Sequence, residues 1–219
     1  MAVVQNPIIG RAKGQAGNMV FTTQFGKNVI KSKPLEVAYS NTDKQVMRRG
    51  MIALVVLFFR SCVEMLQIGF QSLASGMSAY NAFASYNLKN GFNVSSPPTV
   101  TPVYANFLTS KGTMAKTEII SAVADLLSDD VVFEWDGSGV GIGQSLDDRP
   151  LFIVFNATKN EFISGNGGAH RDDESGGLSL NPDWKENDVI HCYMGFTNDA
   201  GNVQSDSDYA TTTIIDTTP

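Results

Sequence analysis

The feature that most constrains this chain is a run of about thirty residues, 42–71, with the sequence TDKQVMRRGMIALVVLFFRSCVEMLQIGFQ. At 100° per residue its polar side chains fall in one narrow stripe, and apolar side chains occupy the rest of the circumference. Thr42 and Gln45 have the spacing of a capping box at its start. The run therefore predicts one continuous helix of about 45 Å with more apolar surface than a lone surface helix needs.

This helix predicts packing rather than membrane insertion. Its uninterrupted apolar stretch, residues 50–59, is about half of the ~20 residues that a bilayer requires, and Arg60 and Glu64 follow it. Two interpretations of its apolar surface stay open. Either the other segments of the same chain cover it, or another copy of the protein covers part of it.

The segments beside the long helix predict a hairpin before it and a shorter helix after it. Residues 1–17 indicate an extended arm, and the short β-type runs 18–23 and 28–32 predict a hairpin with Gly26 in its turn. An isolated hairpin is marginal in water, so we expect it to lie on the long helix or to join another sheet. A second helix is predicted over residues 76–89, capped by Ser75 and stopped by Asn90-Gly91.

The rest of the chain has the pattern of a β-rich part. The Ser-Ser-Pro-Pro sequence at 95–98 breaks the chain and separates two predicted parts, residues 1–97 and 98–219. After one strand predicted at 103–108, we predict strands at 119–124, 131–135, 151–156, 161–164, 177–180, 189–196 and 203–212. Seven short strands within about a hundred residues predict an antiparallel β-sandwich, and the whole chain is predicted to be α+β.

The net charge of −6 hides a strong division along the chain. Residues 1–60 hold nine basic and two acidic residues, net +7, and residues 61–116 are net +2. Residues 117–219 hold four basic and nineteen acidic residues, net −15. This asymmetry favours an acidic partner for the front of the chain, either nucleic acid or the acidic half of a neighbouring copy. Two solvated surfaces of opposite sign explain it equally well.

Candidate chemistry is weak, and we predict no catalytic residue, cofactor or metal. The glycine-rich stretch 137–143 is followed by a loop sequence rather than by the helix that a dinucleotide fingerprint needs. Asp172, Asp173 and Glu174 are consecutive, whereas the oxygen ligands of an EF-hand loop alternate. Cys62 and Cys192 lack CxxC spacing, so we expect two reduced, largely buried thiols.

Two sets of residues resemble known families. The segments DLLSDDVVFEW and LNPDWKENDVIHCYMGFTNDAGN resemble the early core pair and the corner region of a fibronectin type III-like, Ig-like module. This resemblance implies a fold and no function.

A wider resemblance covers nearly the whole chain. It rests on NPIIGRAKGQAGNMVF, FGKNVIKSKP, NTDKQVMRR, a W…Y-x-x-F pattern and a closing S-x-S-x-Y at Ser205, Ser207 and Tyr209. These segments resemble an uncharacterised bacterial "domain of unknown function" family of about 200 residues. The resemblance implies no activity. Its front part also resembles short proteins of bacterial and phage genomes.

The function that these observations favour is a structural protein, not an enzyme. It self-associates into an oligomer, a filament or a virion-type particle through the hairpin and the long helix. The residues expected to bind a partner are Arg11, Lys13, Lys31, Lys33, Arg48, Arg49, Phe58 and Phe59. Because residues 1–14 lack the apolar core of a secretory signal, we expect synthesis in the cytoplasm.

Two other functions stay open. The first is a binding or adhesion module that presents loops 137–150 and 165–177 to a protein or glycan. The second and less favoured is association of the basic front with nucleic acid, with Phe21 and Phe25 stacking on bases.

Overall fold

A computed structural model describes residues 2–4, 13–33, 41–139 and 141–217 of the chain. The chain divides into two compact units, residues 1–42 and residues 43–219. We describe each unit by itself. The division after residue 97, which the sequence suggests, stays a prediction.

The first unit is a small antiparallel sheet of four strands. Their bounds are β1 (Ala2–Val4), β2 (Gly14–Ala16), β3 (Met19–Gln24) and β4 (Lys27–Ser32). The spatial order is β1-β4-β3-β2. The predicted hairpin is confirmed, because Gln24 lies opposite Lys27 and Gly26 turns the chain at φ +77°. The predicted extended arm contributes β1 and β2, which satisfy the backbone groups at the two edges of the hairpin.

The predicted continuous helix is wrong. It is two helices, α1 (Asp43–Ser61) and α2 (Val63–Gly69), which meet at an angle of 100°. Cys62 lies between them in a non-helical conformation, φ −128° and ψ 39°. With 19 residues, α1 is about 28 Å long. Phe58 of α1 and Leu66 of α2 both enter the same core across this bend.

The third helix, α3 (Ala79–Asn90), begins three residues later than predicted. Its N-cap is Ser78, whose hydroxyl accepts a hydrogen bond from the Asn81 N–H at 3.2 Å, and not Ser75. It ends before Gly91, as predicted.

The predicted break at 95–98 is the turn of a two-stranded hairpin, β5 (Phe92–Ser96) and β6 (Thr99–Pro102). The predicted strand at 103–108 is wrong: residues Tyr104–Asn106 form one 3-10 turn. The rings of Tyr104 and Phe107 pack around Phe58, so tertiary packing overrides the local strand propensity.

All seven strands predicted after residue 117 are present, in one near-barrel sheet. Their bounds are β7 (Ile119–Asp125), β8 (Asp130–Trp135), β9 (Arg149–Asn156), β10 (Glu161–Gly165), β11 (Ser175–Ser179), β12 (Val189–Thr197) and β13 (Asp208–Ile215). Their order is β10-β9-β12-β13-β7-β8-β11. Only two residue pairs, between β13 and β7, join the antiparallel ladder β10-β9-β12-β13 to the ladder β7-β8-β11. The described chain is thus α+β, with three α-helices and mostly β-structure.

Two hydrophobic cores lie on the two faces of β9 and β12. Phe152 and Val154 point inwards and pack against residues of β8 such as Phe133. Ile153 and Phe155, which alternate with them, point outwards into a second core with the three helices. The helices therefore cover one side of the sheet. The outward face of β7 and β8 lies on the opposite side of the inner core.

Candidate interaction surfaces

Helix α1 keeps an apolar surface that its own unit does not cover. Met51, Val55 and Phe58 point into the second core and are buried. The opposite face, which we call the α1 outer surface, consists of Val46, Arg49, Ile52, Ala53, Val56, Leu57 and Arg60. Val46 is 45% exposed, Ile52 44% and Leu57 37%. Large apolar side chains that line up on one helix face are typical of an interface.

The polar groups on the α1 outer surface are cationic. The Arg49 Nε donates a hydrogen bond to the Gln45 carbonyl at 3.3 Å. Arg60 lines a shallow depression together with Ala53, Val56, Leu57 and Ser61. Asp43 is the one acidic residue of α1. Arg60 and Glu64 are four residues apart but form no ion pair among the described residues, because α2 turns away after Cys62.

The two phenylalanines predicted to contact a partner pack against other residues of the same chain. Phe58 has no exposed surface, and its ring lies 4.7 Å from Phe162 and 5.2 Å from both Phe107 and Phe155. Phe59 is half-buried and packs edge-on against Tyr80 at 4.9 Å. The Phe58 prediction is therefore wrong, because its side chain faces the second core.

The basic residues predicted to contact a partner are distributed over both units. Lys13, Lys31 and Lys33 are exposed in the first unit, and Arg48 and Arg49 are exposed on α1. Arg11 lies outside the described residues. In the second unit, Arg48 shares a groove between α1, α3 and β5 with Met47, Met51, Ser85, Leu88, Lys89, Phe92 and Val94.

The four-stranded sheet of the first unit is almost without a core. Among its described side chains only Val29 is buried. Phe21 and Ile30 lie opposite each other in the ladder and are half-buried, and Met19 on the same face is 51% exposed. A sheet with so little burial is at best marginally stable alone.

A second exposed surface was missed in the sequence. The β7–β8 outer surface consists of Ile120, Ser121, Val123, Asp125, Asp130, Val132 and Glu134. Ile120 is 69% exposed, and Val123 and Val132, which face each other across the two strands, are 48% and 39% exposed. Alternation in 131–135 identifies which side chains of β8 point inwards. It gives no sign that the outward valine has a valine neighbour.

Hydroxyl groups orient the three carboxylates of this surface. The Ser121 hydroxyl donates to Glu134 at 2.7 Å, and the Ser179 hydroxyl donates to Asp130 at 3.0 Å. The Thr217 hydroxyl and the Leu127 N–H donate to Asp125, and these hydrogen bonds hold the pKa of Asp125 below its ordinary value. The lowered pKa keeps the Asp125 carboxylate ionised at neutral pH.

The two polar loops are held by one buried ion pair. Arg171, in the polar loop between β10 and β11, is fully buried, and its Nε donates to Asp148 at 3.2 Å. Its Nη1 donates to the Thr117 hydroxyl at 2.6 Å, and its guanidinium lies 4.0 Å from the Phe196 ring centre. The pair joins the segment before β9 to the loop between β10 and β11.

The two cysteines are buried, and His191 is half-buried. Burial raises the pKa of the Cys62 thiol to about 11, against a hydrogen bond with Ser164, and raises that of Cys192 to about 12. Both cysteines are free, as predicted. His191 Nδ1 lies 2.8 Å from the Tyr209 hydroxyl, and burial lowers the pKa of this histidine. Such thiols are poor nucleophiles at neutral pH.

The described residues hold no group of three His, Cys, Asp or Glu side chains close enough to bind a metal ion. Within the same residues, no helix alone has the length and apolar character of a membrane span. Only α1 and α2 taken together reach that threshold, across their 100° bend.

Comparison with known proteins identifies a family. The chain belongs to a family of unknown function, DUF6266, whose model matches residues 11–211. This confirms the resemblance found in the sequence. No curated protein matches the chain.

Among solved structures, the chain is similar to the crystal structure of chicken CNTN1 FN1-FN3 domains, with 6% identity and a TM-score of 0.34. The match covers 54% of this chain and 37% of that one. A TM-score this low does not establish a shared fold.

Proposed function

We propose that this protein is a non-catalytic structural subunit. It self-associates into an oligomer, a filament or a virion-type particle through the sheet of its first unit and the α1 outer surface. The observation that supports this most strongly is the first unit itself, in which Val29 is the one buried side chain among those described. A four-stranded sheet needs an apolar surface to pack against, and a second copy supplies one.

The exposed surface of α1 supports the same proposal. Val46, Ile52 and Leu57 are each more than a third exposed on one helix. Removing such side chains from water contributes about 25 cal/mol per Å² of apolar surface, which favours association.

The first experiment is light scattering and sedimentation velocity over a hundredfold range of concentration. We expect a mass that rises above the 23.6 kDa of one chain as concentration increases. Leu57→Asp and Met19→Asp should each lower that mass, since both put a charge on a proposed contact. Leu73→Asp and Met77→Asp are matched controls, because Leu73 and Met77 are each 40% exposed elsewhere. A chain that stays monomeric at every concentration contradicts the proposal.

A second candidate function is a binding or adhesion module. It is favoured by Ile142, which is 85% exposed on a loop that the buried Arg171–Asp148 pair holds in place. Gln144 fixes the same loop by accepting a hydrogen bond from the Gly141 N–H at 2.8 Å. A glycan array tests it: binding that Ile142→Asp abolishes would support this function, and an array without hits would count against it.

We also propose that the near-barrel sheet is a fibronectin type III-like, Ig-like sandwich. The two antiparallel ladders and the two residue pairs that join them support this. In an experimental structure we expect two sheets packed about 10 Å apart. Continuous hydrogen bonding around a closed barrel would contradict the sandwich.

A further inference from the structure

We propose that the α1 outer surface of one copy packs on the β7–β8 outer surface of the next copy. This inference rests on the proposed self-association and names the two surfaces that meet. Both surfaces belong to the second unit, and both combine exposed apolar side chains with charges of one sign. An apolar helix face on a sheet face is one of the standard ways in which two elements bury their surfaces.

The charges of the two elements are complementary. Helix α1 holds four basic residues and one acidic residue, net +3. The hairpin formed by β7 and β8, residues 119–135, holds four acidic residues and no basic one, net −4. Opposite charges beside an apolar contact attract the correct partner and raise the rate of encounter. The partner that the α1 outer surface fits is therefore an acidic, apolar sheet face, and the chain itself provides one.

Pairing two α1 outer surfaces is less favourable. It would place four arginines, Arg49 and Arg60 from each copy, in one interface, with Asp43 as the one acid of each helix. The same objection applies to two β7–β8 outer surfaces, which would bring Asp125, Asp130 and Glu134 of two copies together. Like charges in one interface cost several kcal/mol and exclude wrong partners.

The position of the two surfaces determines the kind of assembly. The helices lie on the outward face of β9 and β12, and the β7–β8 outer surface lies across the inner core from them. Two different surfaces on opposite sides of one unit make a heterologous contact, which builds rings or filaments rather than a closed dimer.

The size of the contact indicates weak association. A stable interface buries about 800 Å² on each partner, and one helix face about 28 Å long and 10 Å wide offers less. We therefore expect either concentration-dependent assembly or an added contribution from the sheet of the first unit.

Charge reversal with mixing tests this pairing. Arg60→Glu and Glu134→Lys should each weaken self-association about tenfold or more, as measured by sedimentation. An equimolar mixture of the two variants should assemble again. In the mixture the new acidic side chain on α1 of one variant faces the new basic side chain on β8 of the other, and the remaining contacts keep the original Arg60 and Glu134. The double variant Arg60→Glu/Glu134→Lys should also assemble.

Two matched controls carry the same charge changes elsewhere. Lys89→Glu lies on the exposed face of α3, and Glu186→Lys lies on an exposed turn before β12. Circular dichroism confirms that each variant is folded. Both controls should assemble like the unmodified chain.

The outcomes separate this inference from the proposed function. A monomeric unmodified chain overturns both. An unmodified chain that assembles, together with a Glu134→Lys variant that assembles equally well, overturns the pairing and leaves self-association standing. Loss of assembly in both variants without recovery on mixing also overturns the pairing, since the two side chains would then act at separate contacts.

Discussion

The two main sheets of this chain are antiparallel, apart from the short parallel pairing of β13 with β7, and they differ in what surrounds them. In the seven-stranded sheet, β9 buries every side chain from Pro150 to Asn156, because a core lies on each face. In the four-stranded sheet, β3 has no buried side chain and β4 has one. Among the described side chains, the seven-stranded sheet thus has a large hydrophobic core within one copy, and the four-stranded sheet has almost none. The amount of buried apolar surface decides which sheet has its own hydrophobic core within one copy.

The largest expected difference in stability between the two sheets comes from truncating one aromatic side chain that packs on or lies in each of them. Phe58→Ala removes the ring that five phenylalanine and tyrosine neighbours contact in the second core, so the free energy of unfolding should fall by about 3–5 kcal/mol. Phe21→Ala, in half-buried β3, should cost about 1 kcal/mol or less at low concentration. Urea unfolding followed by circular dichroism measures both, and equal losses would contradict the difference between the sheets.

The buried ion pair gives the next largest effect. Arg171→Met leaves the Asp148 carboxylate buried without its cation and should cost about 3–5 kcal/mol of the free energy of unfolding. The double variant Arg171→Met/Asp148→Asn removes both charges and should recover a large part of that loss. Thermal and urea unfolding of the two variants compare them directly. If the double variant is no more stable than the single one, the loss of stability comes from the missing shape of the Arg171 side chain and not from an unpaired buried charge.

The start of α3 gives a smaller effect. Ser78→Ala removes the hydroxyl that caps the Asn81 N–H and should cost about 1 kcal/mol. Ser75→Ala, at the position that the sequence suggests for the cap, should change the free energy of unfolding by only a few tenths of a kcal/mol. The reverse order in urea unfolding would place the cap at Ser75.

The smallest effect is the dependence of stability on pH. Burial raises the pKa of Asp208, but hydrogen bonds from Lys116 at 2.6 Å and from the Ile119 N–H at 2.8 Å outweigh it and leave the pKa below its ordinary value. A lowered pKa in the folded state stabilises the fold above the unfolded value, about pH 4, and that contribution is lost as pH falls further. Asp208→Asn should therefore flatten the loss of stability between about pH 5 and pH 2. An unchanged slope would contradict this.

The sequence predicts well what depends on local pattern. Residues 131–135 alternate, and β8 places Val131, Phe133 and Trp135 inwards. The hairpin turn at Gly26 and the stop of α3 at Gly91 follow from backbone preferences of the same local kind. The errors arise where local pattern does not decide the structure. The bend at Cys62 depends on how the two helices pack on the sheet that they share, and the residues around Cys62 do not indicate that packing.

The candidate surfaces were harder to predict than the fold. Phe58 and Leu57 are neighbours in an apolar run, and only the packed structure shows that Phe58 is buried while Leu57 is exposed. Arg171 stands beside exposed acids in the most polar loop, and its burial depends on Asp148 and Thr117, which are distant in sequence. The β7–β8 outer surface arises from the register that aligns Val123 with Val132.

Hydrogen exchange at two protein concentrations tests the central claim most directly, since the first unit is proposed to complete its core with another copy. The amides of β3 and β4 should exchange fast in dilute solution and become protected as the chain assembles, while those of β9 and β12 stay protected throughout. Strong protection of β3 and β4 in a dilute, monomeric sample would contradict the claim that this sheet depends on assembly.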